Sequence, residues 1–298
     1  MKIAKFAAID IGSNAIRILI SNIIQTEDKS VYFQKNSLVR VPIRLGEDSF
    51  TIGEITKPNI KRMVKAMKAF KLLMNIHGVS EYLAYGTSAL REAKNSSHVI
   101  DKIKKKAGVK IEIIDGTKEA EIISNNKISD FLNTRKTILL VDVGGGSTEF
   151  TLLNEGKNIT SKSFKIGTVR LINNLVDESV WEQIKIWIKN QTRAFDKITL
   201  LGSGGNINKL IKLAKLKEGK PLSLISLNVI CKELESLSYE QRMVNFELNP
   251  DRADVILPAA RIYLKAMEWS GGQNIYVPKV GLSDGMIKYL YMKSKKKA

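Results

Sequence analysis

The sequence predicts an α/β protein with two related domains that face each other across a cleft. Residues 6–20 and residues 137–153 share one pattern: an apolar strand, an aspartate, a glycine turn with a hydroxyl residue, and a second apolar strand. A unit repeated at this separation is typical of two related α/β domains. A chain of 298 residues that is 44% hydrophobic and 26% charged is also long enough for two buried cores.

Candidate chemistry is concentrated in the second repeated stretch. Residues 138–141 are apolar and predict a buried strand, residues 149–153 predict another, and Asp142 and Glu149 flank the turn that joins them. Consecutive glycines can let several N–H groups converge on a phosphate, although a bare glycine run is also compatible with an ordinary tight turn. The flanking acids favour the phosphate interpretation. Its candidate contacts are Gly144, Gly145, Gly146, Ser147 and Thr148.

The first repeated stretch has the same design. Asp10 is placed as the counterpart of Asp142, and Ser13 as the counterpart of Ser147, with Asn14 following in the turn. We therefore expect Ser13 and Asn14 to contact phosphate.

A third glycine turn and a basic segment add candidate contacts in the second half. The turn follows apolar residues 198–201, and a helix begins at Gly204 and Gly205, where its N-terminus could bind an anion. Residues 164–171 read FKIGTVRL, in which Lys165 and Arg170 could add cationic contacts.

The charge balance favours an anionic partner. The net charge of +18 raises the local concentration of polyanions, and nucleic acid, acidic membrane and polyphosphate all qualify. An aromatic content of 7% and the lack of a basic stripe interleaved with aromatics argue against dedicated nucleic-acid binding. One cysteine, Cys231, and two histidines exclude a disulfide framework and a Cys/His zinc site. Residues 1–20 are interrupted by polar residues and predict neither a signal peptide nor a membrane span, so we expect a cytoplasmic protein without membrane partners.

The remaining elements follow from periodicity. Residues 57–77 predict a core-packing helix with a methionine stripe, and Gly78 is its stop signal. Residues 44–46 are expected in a loop. Further strands are predicted at 31–41, 82–85, 111–114 and 274–277, and further helices at 179–196, 228–237, 252–269 and 282–292.

The last candidate site residues are Arg91 and two glutamates on a helix that begins near Thr117. Arg91 is compatible either with a surface ion pair to Glu92 or with bidentate binding of phosphate. Glu119 and Glu121 lie about 200° apart on the helix, so only one can face a given site. The domain boundary is expected near this helix, which gives domains at 1–120 and 121–298, with the final helix packing back on the first domain.

Six motifs together resemble the exopolyphosphatase/guanosine pentaphosphate phosphohydrolase (Ppx/GppA) family. They are DIGSN, GTSALREAKN, DGTKEAEII, DVGGGSTE, FKIGTVRL and GSGGNINKL, in the family's order. The resemblance implies two ribonuclease H-like domains of the actin, Hsp70 and sugar-kinase superfamily. It also implies that Glu119 is the general base and that Arg91 binds substrate phosphate. Glu121 stands where the family commonly has Arg, and Ser283 replaces the Arg of a GLREG-type motif.

These residues can supply what phosphoanhydride hydrolysis requires. Asp10, Asp142 and Glu149 are oxygen ligands suited to Mg²⁺, and Glu119 would deprotonate the attacking water. We expect a Mg²⁺-dependent exopolyphosphatase that acts on inorganic polyphosphate and forms a homodimer.

Three alternatives stay open at this point. Guanosine pentaphosphate 5′-phosphohydrolase activity would use the same catalytic residues. An ATP-dependent kinase of the same superfamily is disfavoured by the motif at Glu119, and a non-catalytic sensor would be motivated by Glu121. The resemblance implies that the long enzymes of the family carry additional C-terminal helical domains, and we expect this protein to be a short form with two domains.

Overall fold

The computed structural model describes residues 1–124, 137–217, 219–278 and 281–295. Its contacts divide the chain into two compact units, Met1–Asn126 with Leu282–Ala298, and Lys127–Gly281. Helix α5 (Gly116–Ser124) runs without a break across the position between residues 120 and 121. No described helix is both long enough and apolar enough to cross a lipid bilayer.

The first unit is a five-stranded mixed sheet covered by helices on both faces. Its strand order is β3-β2-β1-β4-β5, in which the first three strands are antiparallel and β1, β4 and β5 are parallel. The strands are β1 (Lys2–Ile11), β2 (Ala15–Gln25), β3 (Val31–Pro42), β4 (Glu81–Gly86) and β5 (Glu112–Ile113), and the helices besides α5 are α1 (Leu45–Thr51), α2 (Lys57–His77), α3 (Ser88–Glu92), α4 (Ser96–Ala107) and α13 (Leu282–Lys295).

Strand alternation in β1 assigns the two faces. Ile9 and Ile11 point into the core that α2 and α4 cover, whereas Asp10 points to the opposite face, where α13 packs on β1 and on α5. The approach of α13 to α5 is close, because a Cβ on Gly285 would lie 2.2 Å from the carbonyl oxygen of Ile122. Glu119 therefore belongs to the helix layer on the Asp10 side of the sheet.

The second unit repeats this plan around a six-stranded sheet of order β10-β11-β9-β6-β7-β8. The antiparallel strands β6, β7 and β8 come first along the chain, and β9 pairs parallel to β6. The strands are β6 (Thr137–Val143), β7 (Thr148–Asn154), β8 (Lys157–Phe164), β9 (Ile198–Ser203), β10 (Leu222–Ser223) and β11 (Asn274–Tyr276), and the helices are α6 (Thr168–Ile172), α7 (Glu178–Thr192), α8 (Gly205–Leu213), α9 (Leu224–Ser236), α10 (Tyr239–Asn245), α11 (Pro250–Ala253) and α12 (Ile256–Ser270).

Several predicted elements are corrected by the structure. The loop expected at residues 44–46 is the start of helix α1, which begins directly after Arg44 in a left-handed conformation. The helix predicted at 252–269 begins at Ile256 instead, because Pro258 clashes with a helical turn four residues before it and so belongs near a helix start. The helix predicted at 228–237 begins earlier, at Leu224, where the Ser223 side chain accepts a hydrogen bond from the Ser226 N–H.

Candidate active site

An acidic pair lies at the turn-proximal end of the β6–β7 hairpin. The apolar strand β6 is buried up to Val141, and the antiparallel register then sets Asp142 directly opposite Glu149. Each residue offers a carboxylate oxygen, and the two oxygens lie within 4.8 Å of each other. Glu149 is buried and Asp142 half-buried. Two acids at this separation form a site suited to a hard cation.

Neighbouring strands hold both carboxylates in place through neutral donors. The Ser163 hydroxyl of β8 donates to Glu149 Oε1 at 2.8 Å, and the Ser203 hydroxyl of β9 donates to Asp142 Oδ1. Tyr263 of α12 in turn donates to the Ser203 carbonyl at 2.5 Å. Burial, with a further contribution from the charge of Asp142, raises the pKa of Tyr263 well above its ordinary value, so the phenol stays protonated as a donor.

The glycine turn beside this pair is clamped from one side. The Gly144 N–H donates to the Ser147 carbonyl at 2.9 Å, which closes the turn. The first N–H groups of helix α6 donate to the Gly144 and Gly145 carbonyls at 3.0 and 2.8 Å, and Arg170 Nε donates to the Gly146 carbonyl at 2.7 Å. All three glycine carbonyls are thus held by the segment that begins α6.

The turn's N–H groups are left for another partner. Within the described residues, the N–H groups of Gly145, Gly146 and Ser147 have no hydrogen-bond acceptor. Gly167 packs directly under the turn, because a Cβ there would lie 2.4 Å from the Gly145 carbonyl carbon and oxygen. Three consecutive N–H groups without an acceptor, next to glycines whose carbonyls are engaged, are the arrangement that binds phosphate oxygens.

The third glycine turn adjoins the acidic pair. Gly204 has a φ of +103°, and a Cβ on it would lie 3.3 Å from Asp142 Oδ1. The carbonyl of Gly204 accepts from the Asn208 amide at 2.7 Å. The Arg252 guanidinium covers Gly205, because a Cβ there would lie 3.1 Å from both terminal nitrogens. The start of helix α8 therefore adjoins Asp142 at Gly204 and is covered by a cation at Gly205.

The first-unit hairpin closes with the same backbone bond, but its aspartate faces a cation instead of a second acid. The Gly12 N–H donates to the Ala15 carbonyl at 3.2 Å, which matches the bond that closes the second-unit turn. The register sets Asp10 opposite Arg17, whose Nη1 donates to Asp10 Oδ2 at 2.8 Å. Burial raises the pKa of Asp10 above its ordinary value, and the Arg17 guanidinium opposes that rise.

The register also corrects one predicted correspondence. Counting from each aspartate, Ser13 occupies the position of Gly145, and Ala15, not Ser13, occupies the position of Ser147. The Ser13 hydroxyl lies 2.9 Å from the Ser88 hydroxyl, and its carbonyl accepts from the Gly46 N–H at 2.8 Å. The Asn14 carbonyl accepts from the Arg44 N–H at 2.9 Å. Helix α1 therefore clamps this turn as α6 clamps the other.

Helix α5 separates its two acids as its geometry requires. Glu119 is buried at 8% exposure, whereas Glu121 is exposed and pairs with Lys118 at 3.0 Å. Asp115 caps the helix by accepting from the Lys118 N–H at 2.7 Å. Arg91 Nη1 donates to the Ile114 carbonyl at 2.7 Å, which fixes the segment leading into α5.

Comparison with known proteins decides the family. The sequence profile of the Ppx/GppA phosphatase family matches residues 23–294. The chain belongs to the Ppx/GppA phosphatase family. The family predicted from the motifs is therefore confirmed, and so is the prediction of a phosphoanhydride hydrolase at the level of this family.

Two curated proteins and one solved structure resemble this Ppx/GppA chain. It is 25% identical to exopolyphosphatase 2 of Mycobacterium tuberculosis over 282 residues, covering 86% of this chain and 88% of that protein. It is 29% identical to a bifunctional 3-dehydroquinate synthase/phosphatase of Fusobacterium nucleatum, covering 91% of this chain but only 44% of that protein's length. The crystal structure of an exopolyphosphatase from Cytophaga hutchinsonii superposes with a TM-score of 0.83 at 24% identity, covering 97% of this chain and 98% of that one. The predicted α/β fold class is confirmed by this likeness.

Within the second unit of this Ppx/GppA chain, the predicted residues come together with some roles redefined. Asp142, Glu149 and the two glycine turns gather at one end of the sheet. The Thr148 hydroxyl is buried and donates to the Ile166 carbonyl at 2.7 Å, so it holds the hairpin. Lys165 is exposed. Asp10, Ser13, Asn14, Arg91 and Glu119 lie in the first unit.

Four residues near the acidic pair were missed by sequence reasoning. They are Ser163, Ser203, Arg252 and Tyr263. Ser203 stands inside the recognised GSGG turn, so its hydroxyl beside a strand end was an available signal. The other three come from separate elements with no local motif, and only the folded chain brings them to the site.

Proposed function

We propose that this protein is an exopolyphosphatase that hydrolyses the terminal phosphoanhydride of inorganic polyphosphate with the help of Mg²⁺. The observation that carries the proposal is the acidic pair Asp142–Glu149 beside three N–H groups of the glycine turn. Polyphosphate is preferred over guanosine pentaphosphate because a net charge of +18 favours a substrate made only of phosphates. Homodimer formation and a cytoplasmic location remain predictions.

The acidic pair fits a divalent cation. Mg²⁺ prefers hard oxygen ligands, and carboxylates are the side chains that most often supply them. The Asp142 and Glu149 oxygens lie within 4.8 Å of each other, so both carboxylates would hold such an ion. A bound cation would draw negative charge from the phosphate oxygens. Asp10 is proposed as a third, weaker ligand through Oδ1, because Oδ2 is taken by Arg17.

The chain's own groups cover the remaining steps. The N–H groups of Gly145, Gly146 and Ser147 would hold the terminal phosphate, with Arg170 keeping their turn in shape. Glu119 would accept the proton of the attacking water as the water oxygen bonds to the terminal phosphorus. The bond from that phosphorus to the bridging oxygen then breaks, and the shortened chain leaves with the oxygen. Ser13, Asn14, Arg91, Gly204 and Gly205 are proposed as further phosphate contacts.

Parallel substrate assays test the function. Phosphate release is measured with tripolyphosphate, long-chain polyphosphate, guanosine pentaphosphate and ATP, each with Mg²⁺ and with EDTA. We expect release from polyphosphate at the highest kcat/KM and none in EDTA. A higher kcat/KM for guanosine pentaphosphate would identify the protein as the nucleotide phosphohydrolase instead. Full activity in EDTA would contradict the proposed role of Mg²⁺.

Matched carboxamide variants test the metal ligands. Asp142→Asn and Glu149→Gln should each raise the Mg²⁺ concentration for half-maximal activity and reduce the Mg²⁺-dependent rise in melting temperature. Asp10→Asn should change both readouts less. An equal loss of the melting shift in all three variants would place Asp10 on a par with the pair.

A further inference from the structure

The outer face of helix α2 carries an uncompensated row of positive charge. The helix has 21 residues, with Ile60, Met63, Met67, Phe70 and Met74 buried in the core. Lys57, Lys61, Lys65 and Lys68 are all exposed. At 100° per residue these four lysines lie within an arc of about 80°, and they span about 16 Å along the helix axis.

No acid balances this row within the described residues. Helix α2 contains neither Asp nor Glu, and none of its four lysines forms an ion pair with a described carboxylate. Other surface helices behave differently: Lys185 pairs with Glu182 at 2.9 Å on α7, and Lys265 pairs with Glu268 at 2.8 Å on α12. The lysine row thus differs from α7 and α12, where a lysine of the helix pairs with a glutamate three residues away.

The adjacent helix extends the positive surface. Helix α4 packs against α2, and Lys104, Lys105 and Lys106 in its last turn are exposed, with Asp101 the one exposed acid on that helix. Both helices cover the sheet face of Ile9 and Ile11, so the surface lies on the opposite side of the sheet from Asp10 and α5.

The residue types on this surface of α2 and α4 favour one class of polyanion over the others. The one aromatic residue of α2, Phe70, is buried, and α4 has none, so the surface has no platform on which nucleic-acid bases could stack. The core-facing apolar residues of α2 are buried, and its strongly exposed apolar side chains are Leu72 and Ile76, which lie toward its C-terminal end. Two apolar side chains beside a row of lysines are far less than the continuous apolar face with which a helix inserts into a lipid surface. The exposed lysines of α2 and α4 therefore best complement a linear polyanion that carries no bases.

We propose that the lysine row of α2, together with the Lys104–Lys106 end of α4, is a second binding site for the distal part of a long polyphosphate chain. This inference rests on the proposed function for the choice of substrate. Because the surface and Glu119 lie on opposite faces of the sheet, only a long chain can reach both. The surface should therefore affect long chains and not short ones.

A charge-matched pair of variants tests the site. The first variant changes Lys57, Lys61, Lys65 and Lys68 to Gln. The control changes Lys189, Lys197, Lys212 and Lys232, exposed lysines of the second unit, to Gln and removes the same net charge. Steady-state kinetics with long-chain polyphosphate and with tripolyphosphate are compared, and binding of labelled long-chain polyphosphate is measured in EDTA.

The expected result is specific to chain length and to the surface changed. The α2 variant should raise KM for long chains on the order of tenfold and lower the slope of log KM against log salt by about 2.8, taking about 0.7 for each of four phosphate contacts. KM for tripolyphosphate should stay within twofold, which also shows that the variant is folded. The control, which loses only general charge steering, should change KM for long chains and the salt slope much less than the α2 variant does.

Other outcomes separate this site from the function. Equal effects of the two variants on long chains would overturn the site and leave only general charge steering. An oligonucleotide or a phosphatidylserine vesicle that displaced polyphosphate from the wild type but not from the α2 variant, at equal charge, would overturn polyphosphate as the dedicated partner. If the wild type hydrolysed no polyphosphate but the α2 variant alone lost binding, the function would fall and the binding surface would stand.

Discussion

Replacing Gly167 by Ala tests whether the shape of the glycine turn controls catalysis. The added Cβ would lie 2.4 Å from the carbonyl carbon and oxygen of Gly145 and 2.6 Å from the Gly146 nitrogen. These are backbone atoms and cannot rotate away as a side chain would. Since ordinary contact begins at about 3.4 Å, the turn or the start of α6 must move by about 1 Å.

This displacement sets the expected magnitudes. A misplacement of about 1 Å in a positioning element can lower the rate by about 100-fold, so kcat/KM for tripolyphosphate should fall by that order. Overpacking costs about 1–3 kcal/mol of unfolding free energy, and each kcal/mol lowers the melting temperature by about 2–4 °C in a protein of this size. Steady-state phosphate release and thermal melting measure the two effects.

Gly272→Ala is the matched control in the same unit. A Cβ there would lie 2.0 Å from the Leu200 side chain in the core, away from the turn. We expect a loss of stability with kcat/KM for the folded protein unchanged. If Gly167→Ala lowers the melting temperature but keeps kcat/KM within threefold of the wild type, the N–H groups of this turn do not hold the substrate.

Three further predictions address single side chains. Glu119→Gln should lower kcat by about 100-fold or more, with polyphosphate affinity equal or tighter. Glu121 is exposed, so Glu121→Gln should keep kcat near that of the wild type. A loss of kcat in Glu121→Gln but not in Glu119→Gln would contradict the assignment of Glu119 as the base. Arg170→Lys should lower kcat/KM by about tenfold, because losing the Nε donor to the Gly146 carbonyl costs about 1–3 kcal/mol. Full activity in this variant would show that the positive charge of Arg170 matters and its hydrogen bond to Gly146 does not. Burial raises the pKa of Cys231 to about 12, so the thiol stays protonated below that pH. Iodoacetamide at pH 8 should therefore modify Cys231 only after the protein is denatured. Rapid modification of the native protein would show that Cys231 is accessible.

Local patterns in the sequence determined a large part of this protein. The periodicity of residues 57–77 and the Gly78 stop predicted helix α2 at its observed bounds, with Gly78 in the left-handed conformation at its end. The strand, aspartate and glycine pattern located both hairpins, because each signal lies within a few residues of the structure it produces. The acids on α5 were also separated correctly from helix geometry alone.

The tertiary structure decided which groups meet across the two hairpins. Arg17 and Glu149 each stand seven residues after the aspartate of their hairpin, and the antiparallel register of the folded strands sets Arg17 opposite Asp10 and Glu149 opposite Asp142. One turn thereby holds a neutralised ion pair and the other an acidic pair suited to a cation. Arg170 stays a predicted phosphate contact, and only the fold shows that its Nε also donates to the Gly146 carbonyl. Contacts between separate elements depend on the packing of the whole unit, and short-range sequence patterns do not encode them.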